Sequence, residues 1–347
     1  MEKHLNNEEE IIGFEALYES MHKCKKGVMW KGSVAHYVLN GMEETLKLEK
    51  ELKEGTYKAR KTVKFTVTSP KPREIVSICF RDRVYQRSLN DNAIYPAMTK
   101  SFIQHNCACQ KGKGTDYARE VFKEFLHRHY RKHGRKGGVL QIDVHGYYPN
   151  MKHQVAKDKF KKHLAKNIYD RAEMVLDDQY AGEIGYNPGS QMIQIAGISV
   201  LDYIDHFNKE QLHIESYLRY MDDFDMLHED LEYLEYCKEK NIEKLAENGF
   251  EPNPKKTRVI PLTEPILFLG FYYQLTETGK VIMTLNPAKV KQERRKLCRL
   301  VMKAKRGEIT KAKVDECFQA WKEHASKGNS WKLLRRMEQY YKELWEE

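Results

Sequence analysis

Three acids stand where chemistry can be done. Asp143 ends an apolar run, Val139-Leu140-Gln141-Ile142, and is followed by Val144. An ionised carboxylate there is costly unless it is paired or bound to metal. Asp222 and Asp223 are adjacent, between Tyr220-Met221 and Phe224. Neighbouring carboxylates in apolar surroundings repel, and a divalent cation relieves that repulsion. A strand-borne aspartate with an Asp-Asp tip is the donor set of two-metal phosphoryl transfer. One ion activates an attacking 3′-hydroxyl, and the other holds the triphosphate and its leaving group. Hard oxygen ligands suit Mg²⁺, with Mn²⁺ as a substitute. The plain alternative is a turn Asp-Asp and an unrelated strand aspartate.

The elements around these acids follow from periodicity. Residues 1–60 read as helical, and Glu43 to Leu52 stops before Gly55. Val63, Phe65 and Val67 alternate with Lys and Thr as a strand. Ser69-Pro70-Lys71-Pro72 is a turn, and Glu74 to Cys79 returns as a second strand. Residues 83–135 look mainly helical, Val139 to Val144 is a short strand, and Met192 to Phe207 reads as one helix. Tyr217 to Tyr220 and Phe224 to Leu227 flank the acids as a hairpin. Leu231 to Asn248 is a helix closed by Gly249. Phe268 to Leu275 is a strand pair, and the chain is helical from Lys289 onward.

Composition limits the function classes. The 347 residues suit two or three subdomains, and 41% hydrophobic residues exclude wholesale disorder. The longest apolar run, Ile266 to Tyr273, is far below the roughly 20 residues of a membrane helix. Met1 to Glu10 is charged and amide-rich, which gives the expectation of no signal peptide. Seven scattered cysteines read as reduced thiols in a cytoplasm, and Cys107-x-Cys109 alone is a poor zinc site. The net charge of +10 favours a polyanionic partner. Lys289 to Lys313 carries 11 Lys/Arg against 2 Glu, nearly the whole excess. Lys123 to Lys136 adds 6 Lys/Arg and 3 His. Such blocks are either solvated helix faces or walls of a phosphate-binding channel.

Tyr220-Met221-Asp222-Asp223 resembles the signature box of reverse transcriptases. Val139 to Met151, VLQIDVHGYYPNM, resembles the first catalytic box of that family. Asn187 to Gln194, Asn253 to Thr257, Phe268 to Phe271, Lys71 to Arg83 and Gly328 to Lys332 resemble further boxes, in the family's order. The resemblance implies an α+β right-hand polymerase: fingers, a palm with an antiparallel sheet, and a helical thumb. It implies boundaries of 1–60 for a helical extension, 61–138 for fingers, 139–280 for palm and 281–347 for thumb. Asp143, Val144, Asp222 and Asp223 are implied to form the metal group. Lys255 and Lys256 compete for the role at the leaving pyrophosphate. Tyr148, with Tyr147 beside it, falls on the steric gate that excludes ribonucleotides. Arg73, Arg81, Arg83, Gly189 and Gln194 are implied to meet the incoming nucleotide or template. Phe268, Leu269 and Gly270 resemble the primer grip. Arg294, Arg295, Arg299 and Lys303 are the expected nucleic-acid contacts of the thumb.

Two features depart from the family pattern. Gln194, rather than Gln191, fits the family glutamine, and Ile193 stands where Ser is common. Asp225 replaces an apolar residue and is expected to face outward from its strand. Fingers, palm and thumb would nearly fill the 347 residues, which gives the expectation of no RNase H, integrase or Cys/His-rich endonuclease domain, and the retron words are not found in them. The resemblance therefore implies a compact bacterial enzyme, linked to phage defence and a structured noncoding RNA. The alternative is the enzyme of a diversity-generating retroelement. Implied partners are an RNA template, a DNA product, deoxynucleoside triphosphates, and an operon-encoded accessory protein or a second copy, with no membrane. Two other classes stay open: a viral-type RNA polymerase, which Tyr148 argues against, and a non-catalytic RNA-binding palm, which predicts damaged acids.

Overall fold

A computed structural model describes residues 8–68, 72–180, 182–187 and 189–346, without the side chain of Arg73. The Ser69-Pro70-Lys71 part of the expected turn, Pro188 and the first seven residues lie outside the described residues. In chain order the elements begin with α1 (Glu9–Ile12), α2 (Phe14–Cys24), α3 (Gly32–Leu39) and α4 (Gly41–Lys53). Then come β1 (Val63–Val67), β2 (Arg73–Ser77), α5 (Phe80–Leu89), α6 (Tyr95–Met98) and α7 (Thr115–His133). The central segment holds β3 (Gly138–Asp143), α8 (Tyr147–Asn150), α9 (His153–His163), α10 (Lys166–Gln179), α11 (Gln191–Val200) and α12 (Asp202–His206). Strands β4 (Ser216–Tyr220) and β5 (Asp223–His228) precede α13 (Leu231–Ala246). Four strands follow: β6 (Arg258–Pro261), β7 (Ile266–Phe268), β8 (Phe271–Leu275) and β9 (Val281–Leu285). Helices α14 (Pro287–Lys305), α15 (Lys311–Ser326) and α16 (Trp331–Glu346) complete the chain.

The chain forms two interleaved compact units: 1–114, 142–224 and 237–257, and 115–141, 225–236 and 258–347. The boundary falls within β3 and β5.

In the first unit, Leu17, Leu48, Leu52, Val84 and Tyr85 build a core from the N-terminal helices and α5. Burying each such side chain contributes about 1.5–3 kcal/mol. Ser88 Oγ donates to Ile11 O at 2.6 Å, which fastens α5 to α1. Strands β1 and β2 pair antiparallel, Val63 with Ser77 and Phe65 with Ile75, and β1 is exposed along its length. In the second unit, β7, β8 and β9 form an antiparallel sheet. Leu297, Phe318 and Met337, one from each of α14, α15 and α16, make the core of the C-terminal helices. Asn286 caps α14 ahead of Pro287, and Thr310 caps α15. Asn329 exchanges two hydrogen bonds with Met283 across the Gly328-Asn329-Ser330 turn.

Three expectations need correction. Met192 to Phe207 is not one helix, because α11 ends at Val200 and α12 begins at Asp202. The freed carbonyls at the break are taken by other groups: Gly197 O by Tyr147 Oη, and Ile198 O by Arg219 Nη2. Residues 102–114 contain no helix; there Asn106 bridges to Arg219 and Cys109 has φ 52°. Asp225 does not face outward to solvent. It is 2% exposed, and Gln141 Nε2 donates both to its Oδ1 at 2.5 Å and to Leu267 O at 3.1 Å. Burial pushes its carboxyl up to about 7, against the lowering effect of that hydrogen bond.

Candidate active site

Asp143, Asp222 and Asp223, and the residues described with them down to Arg83, belong to the first unit, apart from the opening residues of β3. Val139, Leu140 and Ile142 are fully buried, and the strand they form carries Asp143 to its end. Met221 and Asp222 form the two-residue turn between β4 and β5. Met221 adopts φ 60°, a left-handed conformation that costs a non-glycine residue about 1–2 kcal/mol. The turn is tied to the end of β3 by Val144 N, which donates to Asp222 O at 3.2 Å. Residues 251–253 run past β3: His145 N donates to Glu251 O at 2.8 Å, and Asn253 N to Asp143 O at 2.6 Å.

This backbone frame crowds the acids. The carboxyls of Asp143 and Asp223 share a hydrogen bond. Asn253 Nδ2 donates to Asp143 Oδ1 at 2.9 Å, and Lys256 Nζ bonds Asp143 Oδ2. Lys256 Nζ also lies 4.0 Å from Asp223 Oδ1. Burial works against a charge on Asp143, yet the hydrogen bonds from Asp223, Lys256 and Asn253 hold its carboxyl below the ordinary range. Burial, then the bond to Asp143, then the charge of Asp222 raise Asp223. Burial, with the charge of Asp143, raises Asp222. Lys256 is raised: burial opposes its charge, but Asp143 and Asp223 more than offset it.

Three crowded carboxyls are hard oxygen donors, the chemistry a divalent cation takes. Among the described residues, no group of three or more His, Cys, Asp or Glu already stands in ligating geometry. Lys256 supplies one positive charge beside Asp143 and Asp223.

Tyr147 is buried and donates to Gly197 O. Tyr148 packs beside it, with ring centroids 5.4 Å apart. A Cβ at Gly197 would meet Tyr148 Oη at 2.5 Å and Cζ at 2.9 Å, so only glycine lets the ring lie on α11. Ser190 caps α11 by accepting from Ile193 N at 3.3 Å, which sets Gln194 in the first turn, half-buried. Gly189 approaches β2: its Cβ would stand 3.0 Å from Val76 O, and Asn187 Nδ2 donates to Glu74 O at 2.8 Å.

Not every expected residue meets the acids. Lys255 is exposed and forms no ion pair among the described residues, whereas Lys256 bonds Asp143. Arg81 is 5% exposed, pairs with Glu51 and stacks over Tyr57 at 5.2 Å, so it braces α5 against α4. Arg83 lines a cavity of about 220 Å³ with Gln86, Gly189 and Gln191.

In the second unit, Phe268 packs on Phe122 with ring centroids 4.6 Å apart. Leu269 (φ 43°) and Gly270 (φ 88°) make the turn between β7 and β8, and Arg119 Nη2 holds Leu269 O at 2.8 Å. Arg294, Arg295 and Arg299 line one groove on α14, with Arg294 4.2 Å from the Tyr340 ring centre. Lys303 lies 3.7 Å from Glu308.

Sequence reading missed Asn253 as an acid partner, Gly197 beneath the Tyr148 ring, and Arg219. Gly197 had a weak signal, a small residue one turn beyond Gln194. Arg219 had a better one, a cation directly after the apolar pair Tyr217-Leu218.

An acid-bearing strand end beside an Asp-Asp hairpin, in a mixed helix-and-sheet chain with a helical C-terminal segment, defines an α+β polymerase of the right-hand type. Residues 60–273 match the family model described as reverse transcriptase (RNA-dependent DNA polymerase), and the chain belongs to that family. A solved structure of telomerase from Candida albicans, in complex with a TWJ fragment of telomeric RNA, shares the fold. The TM-score is 0.50 at 12% identity, over 76% of this chain and 55% of that one, so this chain spans about half of its length. No curated protein matches the chain in sequence. Among the described residues, no helix is long and apolar enough to cross a membrane.

Proposed function

We propose that the chain is an RNA-directed DNA polymerase that adds deoxynucleotides to a 3′-hydroxyl. The observation that supports this most is the crowding of Asp143, Asp222 and Asp223 at one strand end and one turn, with Lys256 and Asn253 on Asp143. Asp143, Asp222 and Asp223, with Val144 beside them, would hold Mg²⁺, which supplies the charge that activates the hydroxyl and steadies the leaving group. Asn253 orients Asp143. Lys256, kept protonated by the acids, is the proton source for the departing pyrophosphate, a role its bond to Asp143 favours over Lys255. Tyr148, seated on Gly197, turns away a ribose 2′-hydroxyl. Arg73, Arg83, Gly189 and Gln194 serve nucleotide and template. Phe268, Leu269 and Gly270 hold the primer end, and Arg294, Arg295, Arg299 and Lys303 bind the duplex. In this reading residues 1–60 are an extension, 61–138 the fingers, 139–280 the palm and 281–347 the thumb.

The test is primer extension on an RNA template with Mg²⁺. Asp222→Asn is nearly isosteric and should fold as wild type while incorporation disappears. Full activity in that variant would overturn the mechanism, whereas a wild type that incorporates nothing would favour a non-catalytic RNA-binding palm.

Within the family we place the chain among compact bacterial enzymes of antiphage defence, working in the cytoplasm with a noncoding RNA. The atypical Asn187 to Gln194 loop is the support for this placement. Sequencing the RNA and DNA that co-purify with the protein decides it. A product matching a variable-repeat target gene would instead assign a diversity-generating retroelement. The same preparation shows whether an accessory protein or a second copy is bound.

A further inference from the structure

Arginine keeps its charge at any ordinary pH, so burying one demands that its N–H groups be matched to acceptors. Arg219 lies on β4, two residues before Met221, and is fully buried. Its Nε donates to Asp205 Oδ1 at 2.7 Å and its Nη2 to Asp205 Oδ2 at 2.6 Å, a two-point pairing with α12. Tyr217 Oη donates to the same Asp205 Oδ1 at 2.7 Å. Nη2 also donates to Ile198 O at 2.8 Å, one of the carbonyls left free where α11 breaks. Nη1 donates to Met221 O at 2.9 Å. The backbone of Arg219 is itself fixed, with N to His105 O at 3.0 Å and O from Cys107 N at 2.8 Å.

The last side-chain bond is the informative one. Met221 sits at φ 60°, and a non-glycine residue stays in that region only where its surroundings over-determine it. The side chain of Asp205 alone would satisfy an ion pair. It would not require the guanidinium to reach the turn that carries Asp222 and Asp223. One rigid planar group therefore touches α11, α12 and the acidic turn, all within the first unit.

We propose that Arg219 is the positioning residue of the acidic turn: by holding Met221 O against α11 and α12, it sets Asp222 and Asp223 opposite Asp143. The proposal rests on the polymerase reading and gives that site a residue that never touches substrate. Displacing a catalytic group by about 1 Å costs on the order of 10²-fold in rate. The loss should therefore fall on kcat and spare the KM for deoxynucleotide and the affinity for primed template.

The experiment compares wild type with three variants, reading kcat, KM, primed-template affinity and melting temperature for each. Arg219→Lys keeps a charge for Asp205 but cannot span both Asp205 and Met221 O. It should lose kcat by about 10²-fold, with KM within about twofold. Asp205→Asn weakens the pair yet leaves Arg219 on Met221 O. It should melt earlier but keep at least about tenfold more kcat than Arg219→Lys. The doubly apolar variant Asp205→Leu with Arg219→Met removes both charges together. It should recover the melting temperature and not the kcat. If it recovers kcat, or if Asp205→Asn and Arg219→Lys lose kcat equally, Arg219 merely fills the core and the proposal falls. Should Arg219→Lys fail to fold, the other two variants still decide. A wild type that incorporates no nucleotide overturns the polymerase reading itself, a result distinct from any difference among variants.

Discussion

Gly197→Ala tests the proposed gate more sharply than removal of the Tyr148 ring. Helix propensity by itself favours the change, since alanine is better than glycine in a helix by about 1 kcal/mol. The tertiary contact opposes it. The added Cβ would stand 2.5 Å from Tyr148 Oη and 2.9 Å from Cζ, where ordinary contact begins at 3.4 Å. The ring must therefore move by about 0.9 Å or α11 must yield. Overpacking of this kind costs about 1–3 kcal/mol, so the net change in stability is a loss of about 0–2 kcal/mol. If Tyr148 meets the nucleotide as proposed, a ring shift of nearly 1 Å predicts a kcat/KM loss of up to about 10²-fold for deoxynucleotides. Selection against ribonucleotides should fall with it. The assay is single-nucleotide incorporation with each sugar, beside a thermal melt. Tyr148→Phe removes the atom in closest contact, so adding it to Gly197→Ala should recover part of both losses. Unchanged sugar selection in Gly197→Ala, with a normal melt, would refute the idea that α11 seats the ring.

Tyr148→Ala should raise ribonucleotide relative to deoxynucleotide incorporation in the same assay, and a wild type that uses both equally would remove the gate role. Changing Arg294, Arg295, Arg299 and Lys303 to Gln should weaken duplex binding on all sequences. It should also flatten the slope of log K against log salt by about 0.9 for each phosphate no longer neutralised. A solvated face predicts no change in that titration. Asp225 titrates near 7 when folded and near 3.8 when unfolded, so its protonated form stabilises the fold. That contribution is full below the unfolded value and is lost as pH rises through about 7, at up to roughly 1.4 kcal/mol per pH unit. Asp225→Asn should flatten this fall in denaturant melts between those pH values, and an unaltered pH profile would count against the buried acid.

Much of the site was legible because its parts are local words. An acid at the end of an apolar run marks β3, and two acids between two short apolar runs mark the turn. Periodicity likewise found β1, the β4–β5 hairpin and the helical C-terminal segment, since each is set by residues within a few positions of one another. The lysine next to the acids could not be chosen from spacing. Lys255 and Lys256 are neighbours, and only the course of residues 251–253 past Asp143 brings Lys256 to it. Arg81 reads as a nucleotide contact in sequence, but Glu51, thirty residues earlier, claims it. Asp225 reads as a surface acid because its partner Gln141 is 84 positions away. The break after Val200 is similar: the chain there is apolar enough to continue as a helix, and the groups that take its carbonyls come from Tyr147 and Arg219. Residue types and short spacings thus determined which strand end and which turn carry the acids. Which charged group faces which acid was decided only by the tertiary fold, because a buried charge must find its partner in space and sequence order does not encode that distance.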